Sequence, residues 1–143
     1  MTIQAILLPV FVEVLLIFAL GVLLGKRRYH SVQIGAVRRD DVIMGQRAWP
    51  PKVQAASNAF SNQFELPVLF FALVPLAIMT RKADLLFVVL SWVFVLSRIV
   101  HASVYATSNE LAYRFGAFAV GAAVLLVMWI VFAIRILSAP LPA

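Results

Sequence analysis

The sequence predicts an all-α integral membrane protein, a four-transmembrane-helix antiparallel bundle. Three observations carry that expectation. Of 143 residues, 64% are apolar and only 13% charged, about half the charged share of an ordinary soluble domain. Mean hydropathy is +1.00, and the apolar residues gather into four runs, each able to cross ~30 Å of hydrocarbon at ~1.5 Å per residue. One polar loop and two short connections separate the runs, and short connections set neighbouring helices antiparallel. Residues 1–143 therefore read as a single membrane domain with no room for a second, soluble one.

The first helix is expected at about 2–25 and ends in Lys26-Arg27-Arg28. Its basic residues follow the apolar run, the reverse of a cleavable signal peptide, so the helix is retained. Pro9 lies near its start, where a missing amide matters least. Residues 26–51 form the one sizeable polar loop, punctuated by Gly35, Gly45 and Trp49-Pro50-Pro51. The second helix, about 52–80, is long, and Pro67 and Pro75 are expected to bend it. Arg81-Lys82-Ala83-Asp84 connects it tightly to the third helix, 85–106. A turn around Thr107–Glu110 leads into the fourth, 111–137.

The charges set orientation and exclude several functions. The net charge of +6 could suggest nucleic acid, but the cations cluster beside a span: Lys26, Arg27, Arg28, Arg38, Arg39, Arg47 and Lys52 stand against Asp40 and Asp41. Such a loop is a topology signal and an anionic-lipid contact, which places it in the cytoplasm and both termini on the periplasmic side. There is no cysteine, so disulfides, thiolate metal sites and a cysteine nucleophile are excluded, and any thiol must come with a ligand. His30 and His101 are far apart, and no metal motif, P-loop or dinucleotide fingerprint is present. A transport pathway would need polar residues through the whole thickness, yet 85–97 and 115–134 carry no charge.

What remains is a set of polar residues inside the spans. A charge in hydrocarbon costs at least ~2.5 kcal/mol on the most forgiving scales, and Glu13, Glu65 and Arg98 all lie within apolar runs. Gln54, Asn58, Ser61, Asn62 and Glu65 follow helical spacing on the second helix. Arg98, His101 and Tyr105 do the same on the third. Helix rise puts Glu13 and Glu65 roughly 18 Å and Arg98 roughly 13 Å from the cytoplasmic end. Such groups can simply hold a bundle in register. Arg98, Tyr105 and Arg114 are expected to converge at the cytoplasmic end, where guanidinium groups suit a small anionic ligand. His101 reads as a packing or hydrogen-bonding residue. Glu13 is open to two roles: a partner for Arg98, or a protonated residue facing another subunit.

These residues carry a family resemblance. Asn62-Gln63-Phe64-Glu65-Leu66-Pro67 resembles the Asn-x-x-Glu-(x)n-Pro element of the membrane-associated proteins in eicosanoid and glutathione metabolism (MAPEG). Arg98 through Tyr105 is similar to that family's third-helix Arg-x-x-His-x-x-x-Tyr run, and Arg114 falls where its prostaglandin-synthase branch has a thiolate-stabilising arginine. The resemblance covers about residues 50–135 and is greatest to the compact bacterial members. It implies a homotrimer with glutathione bound between subunits near the cytoplasmic face. Arg28, Asn62, Glu65, Arg98 and Tyr105 would bind or support glutathione, and Arg114 would stabilise its thiolate. The chain departs from the pattern at Phe60-Ser61, where much of the family has His-Arg. It departs again at Glu110 and Phe115, where the prostaglandin branch has a basic residue and a serine.

The functional expectation is a bacterial inner-membrane, glutathione-transferase-like protein acting on hydrophobic electrophiles or peroxides. Its expected partners are membrane lipids, further copies of itself, lipophilic small molecules and other membrane proteins, but not nucleic acid. The rival expectation is a non-catalytic scaffold, or an accessory subunit of a larger membrane complex, that kept the fold and lost the chemistry.

Overall fold

A computed structural model describes residues 1–38, 40–43 and 49–138; Arg39, Gly45 and Arg47 of the basic loop lie outside them. Among the described residues six α-helices follow in order: α1 (Ile3–Gln33), α2 (Asp40–Ile43), α3 (Pro51–Ser61), α4 (Leu66–Met79), α5 (Leu85–Ala106) and α6 (Leu111–Leu137). A single 3₁₀ turn, Asn62–Phe64, joins α3 to α4, so that together they make the second of four membrane-crossing segments. The protein is a multi-pass, all-helical membrane protein, and its outer apolar faces contact lipid.

The first helix runs on well past the expected end at Gly25. The apolar run stops at the bilayer edge, but backbone hydrogen bonds are indifferent to side-chain polarity. Lys26–Gln33 contains no breaker, so the helix continues until Gly35 adopts φ +69°. There Gly35 N–H bonds the Val32 carbonyl at 3.1 Å and Ala36 N–H bonds that of Ser31 at 3.0 Å.

The second span breaks where a bend at Pro67 was expected. Glu65 leaves helical geometry (φ −103°, ψ −101°), and Pro67 sits in the first turn of α4. A proline there has no N–H to lose, whereas in a continuous helix it would orphan a carbonyl and clash with the preceding turn. The interruption therefore moves upstream of the proline. Pro75 is carried inside α4 without ending it.

Helix α5 is the centre of the bundle. Half of its apolar window is buried, against 22%, 33% and 17% in the first, second and fourth spans. It packs along α6 and also against α1 and α3, while α4 packs against α6 and α1. The largest apolar cluster joins Ile6 of α1, Phe70 and Leu73 of α4, Phe94 and Val95 of α5, and Leu125 and Met128 of α6. Two smaller clusters, Leu20-Ala59-Ala102 and Leu24-Val53-Ala56, continue the core toward the basic loop. Between the large cluster and the small ones lies a buried polar layer: Glu13, Gln63, Arg98 and His101. Outside, Phe11, Leu15, Phe18 and Val22 form an exposed apolar stripe along α1, as a lipid- or partner-facing surface requires.

Candidate functional site

The polar residues form two connected groups, one in the core and one at the end of the bundle nearest the basic loop. In the core, α5 directs Arg98 and His101 inward, since they stand one turn apart on its buried face. Arg98 is 0% exposed, and its Nη2 donates to the Asn62 carbonyl at 3.0 Å. That carbonyl belongs to the interruption in the second span, so a guanidinium from a neighbouring helix covers a backbone group the break releases. Glu13, also 0% exposed, faces the same layer from α1. Its burial within the chain bears on its two expected roles: it does not face another subunit, and it shares the buried layer with Arg98 without an ion pair between them among the described residues.

The Asn62 amide stands between Glu65 and His101. With its nitrogen turned to Glu65, it donates to both carboxylate oxygens, at 3.0 and 3.1 Å. Turned the other way, the nitrogen lies 3.5 Å from His101 Nε2. A carboxylate only accepts, so the first orientation satisfies Glu65 and leaves the amide oxygen facing the imidazole. His101 Nδ1–H donates to the Arg114 carbonyl at 2.9 Å. Polar residues thus line up from Glu65 through Asn62 and His101 to the backbone of Arg114; with its ring proton on Nδ1, His101 meets the Asn62 oxygen as a contact and not as a hydrogen bond.

At the end of the bundle, the Arg114 guanidinium lies over the Tyr105 ring, 4.3 Å from its centroid. Its Nη1 donates to Asn109 Oδ1 at 2.6 Å. Asn109 adopts φ +52° in the tight turn between α5 and α6, a conformation asparagine tolerates better than most residues. The turn therefore aims its side chain at the first turn of α6. Beside this pair is a polar cleft of about 350 Å³, lined in part by Arg27, Lys52, Tyr105, Thr107 and Asn109.

The expected residues are therefore only partly brought together. Asn62, Glu65 and Arg98 meet, and so do Tyr105 and Arg114, with His101 as the link. The expected convergence of Arg98 with Tyr105 and Arg114 at the bundle end does not occur in the form anticipated: Arg98 is drawn inward by the orphaned Asn62 carbonyl. Arg28 stands apart from Tyr105. It donates to Ser57 Oγ at 3.3 Å and covers Trp49 at 5.2 Å. Its neighbour Arg27 lines the cleft instead and ties α1 to the start of α3 and the end of α5, donating to the Lys52 carbonyl at 2.9 Å and the Ala106 carbonyl at 2.8 Å. Sequence reasoning passed over Arg27, Gln63 and Asn109. The Lys26-Arg27-Arg28 run offered a choice of cations without the rotation of α1 that selects among them.

The sequence model of the MAPEG family matches residues 6–134, most of the chain. The chain belongs to the MAPEG family. Comparison with curated proteins and with solved structures gives no match. MAPEG membership carries, at the level of the family, a membrane glutathione-transferase-like or related role. The matched region includes the interrupted second span, the Arg98–Tyr105 run and Arg114, so both polar groups lie within the MAPEG fold.

Proposed function

We propose that this MAPEG protein is a glutathione-dependent transferase or peroxidase of the bacterial inner membrane, with both termini periplasmic, active as a homotrimer with glutathione bound between subunits. The observation that carries the reading is the Arg114 guanidinium, fixed by Asn109 and the Tyr105 ring beside a polar cleft. A cation held beside a thiol lowers the thiol's pKa and raises the thiolate population at neutral pH. Preorganised charge of this kind stabilises an anion without reorganising as it forms.

The donor set fits glutathione. Glutathione supplies a nucleophilic sulfur, two carboxylates and an ammonium. Glu65 is an exposed carboxylate in the middle of a membrane-crossing segment, with the single Asn62 amide nitrogen shared between its two oxygens. An exposed charge at that depth does not face lipid, which supports a covering subunit and an ammonium partner. Arg28 points outward from the end of α1, and its placement supports a carboxylate contact across a subunit boundary. Arg98 then acts as a support for Asn62, not as a direct ligand. Lipophilic electrophiles reach the site from the bilayer, and the chain's task is to hold and charge the sulfur that meets them.

One observation favours the alternative, a non-catalytic scaffold or accessory subunit: Arg98 is wholly buried and bonded to backbone. The two readings separate on thiolate absorbance when glutathione is added to purified protein near neutral pH. We expect a signal in the wild type, none in Arg114→Ala, and a weakened one in Arg114→Lys, which lacks the planar fork. A wild type with no thiolate signal, and no protection by glutathione against thermal unfolding, would overturn the transferase reading.

A further inference from the structure

One charged residue of the buried layer has no part in the proposed glutathione chemistry. Glu13 is wholly enclosed, and neither of its carboxylate oxygens has a hydrogen-bond partner among the described residues. Arg98 shares that buried layer, but no ion pair or hydrogen bond joins the two among the described residues. Arg98 has two carboxylates within Coulombic reach, Glu13 and Glu65. It is equally enclosed, and of its nitrogens Nη2 holds the Asn62 carbonyl while Nε and Nη1 have no partner among the described residues. In an unbroken helix that carbonyl would bond the Leu66 N–H. The break at Glu65 opens the turn, and Arg98 takes the carbonyl instead.

Arg98 can do this only if its charge is offset, because a buried cation with no counter-charge is strongly destabilising. Two carboxylates compete for that task, and they are not equivalent. Glu13 lies in the core on α1, whereas Glu65 lies at the break with its side chain exposed. While Glu13 offsets the guanidinium, Glu65 stays outward on the Asn62 amide. Without Glu13, Glu65 is the remaining opposite charge, and the guanidinium draws it inward.

We propose that Glu13 is a positioning residue for the glutathione site. It keeps Arg98 in the bilayer core, tied to the backbone of the interrupted span, so that Asn62 and Glu65 stay presented at the surface. The proposal rests on the glutathione reading for its kinetic consequence but not for its structural one.

The test compares wild type, Glu13→Gln, Arg98→Met and the double variant in the assembled protein. Glu13→Gln should raise KM for glutathione about tenfold, while kcat and the thiolate signal at saturation stay within about twofold, because Arg114 is untouched. Amide hydrogen exchange over residues 62–68 should accelerate about tenfold, with exchange over α6 unchanged. Thermal stability should fall in Glu13→Gln and recover when Arg98→Met removes the uncompensated cation, although KM stays high. That opposition between stability and KM is a signature a merely packed Glu13 would not produce. Should wild type give no glutathione thiolate while Glu13→Gln still loosens residues 62–68, the glutathione reading fails and the tether stands. Unchanged exchange at 62–68 in Glu13→Gln, or exchange accelerated equally along the whole chain, overturns the proposal.

Discussion

Replacing Gly121 by alanine tests the packing that holds the two polar groups together. A Cβ at position 121 would lie 2.6 Å from Ser97 Oγ, and 3.7 Å from both Ser97 Cβ and Arg98 Cδ. Only the first contact is impossible. Ser97 Oγ is held at 2.6 Å from the Phe94 carbonyl, to which it donates, so it must rotate away or α5 and α6 must separate. Overpacking a close helix contact costs ~1–3 kcal/mol, while exchanging glycine for alanine in a helix returns ~1 kcal/mol through propensity. The net expectation is a loss of up to about 2 kcal/mol for Gly121→Ala. Adding Ser97→Ala removes the one clashing atom and leaves ordinary contacts at 3.7 Å. The double variant should then be at least as stable as Ser97→Ala alone, a coupling of about 1–3 kcal/mol. Thermal unfolding of the purified protein at a fixed scan rate, in one detergent, ranks the four proteins. The same change in stability for Gly121→Ala in wild type and in the Ser97→Ala background would show that the α5–α6 contact has slack and would refute the reasoning.

Two further predictions use other parts of the molecule. Asp84 caps α5 through Phe87 N–H at 3.0 Å and pairs with Arg135 at 2.7 Å. The Arg135 hydrogen bond, ahead of the Phe87 N–H, holds its carboxyl below the usual carboxylate value. A depressed folded-state value stabilises above the unfolded one and is lost as pH falls through it. The thermal advantage of wild type over Asp84→Asn should therefore be full at neutral pH and close below about pH 4. Both side chains are part-exposed, at 32% and 48%, so the advantage should be no more than ~1 kcal/mol and should shrink with salt. At the site, Tyr105→Phe keeps an aromatic face under Arg114 and should retain the glutathione thiolate signal. Tyr105→Leu removes a cation–π contact of ~0.5–1 kcal/mol and should weaken that signal at subsaturating glutathione several-fold; equal signals in the two variants would show that the ring does not hold the guanidinium.

Much of the fold was legible because burial in lipid leaves few options. Four apolar runs must be helices, since hydrocarbon offers no partner for a free N–H or C=O. The third helix could be placed at 85–106 because the polar 81–84 connection precedes its apolar run. The extent of α1 was not legible, because hydropathy reports the bilayer edge while the helix ends where the backbone turns at Gly35. Pro67 announced a disturbance in the second span but not its position. That depended on which residues upstream could release a carbonyl and find it another donor.

The site divides in the same way. Residue type and helical spacing by themselves determined that Glu13, Glu65 and Arg98 were embedded, and that Arg98, His101 and Tyr105 shared one face of α5. They also carried the family, because its motifs are short local patterns within single helices. Only the tertiary structure decided which groups meet. Arg98 bonds the broken backbone, Glu13 is enclosed within its own chain, Arg27 and not Arg28 lines the cleft, and Asn109 steadies Arg114. Each of these depends on how helices rotate and cross. Packing of the whole bundle sets those rotations, and no single stretch of sequence encodes them.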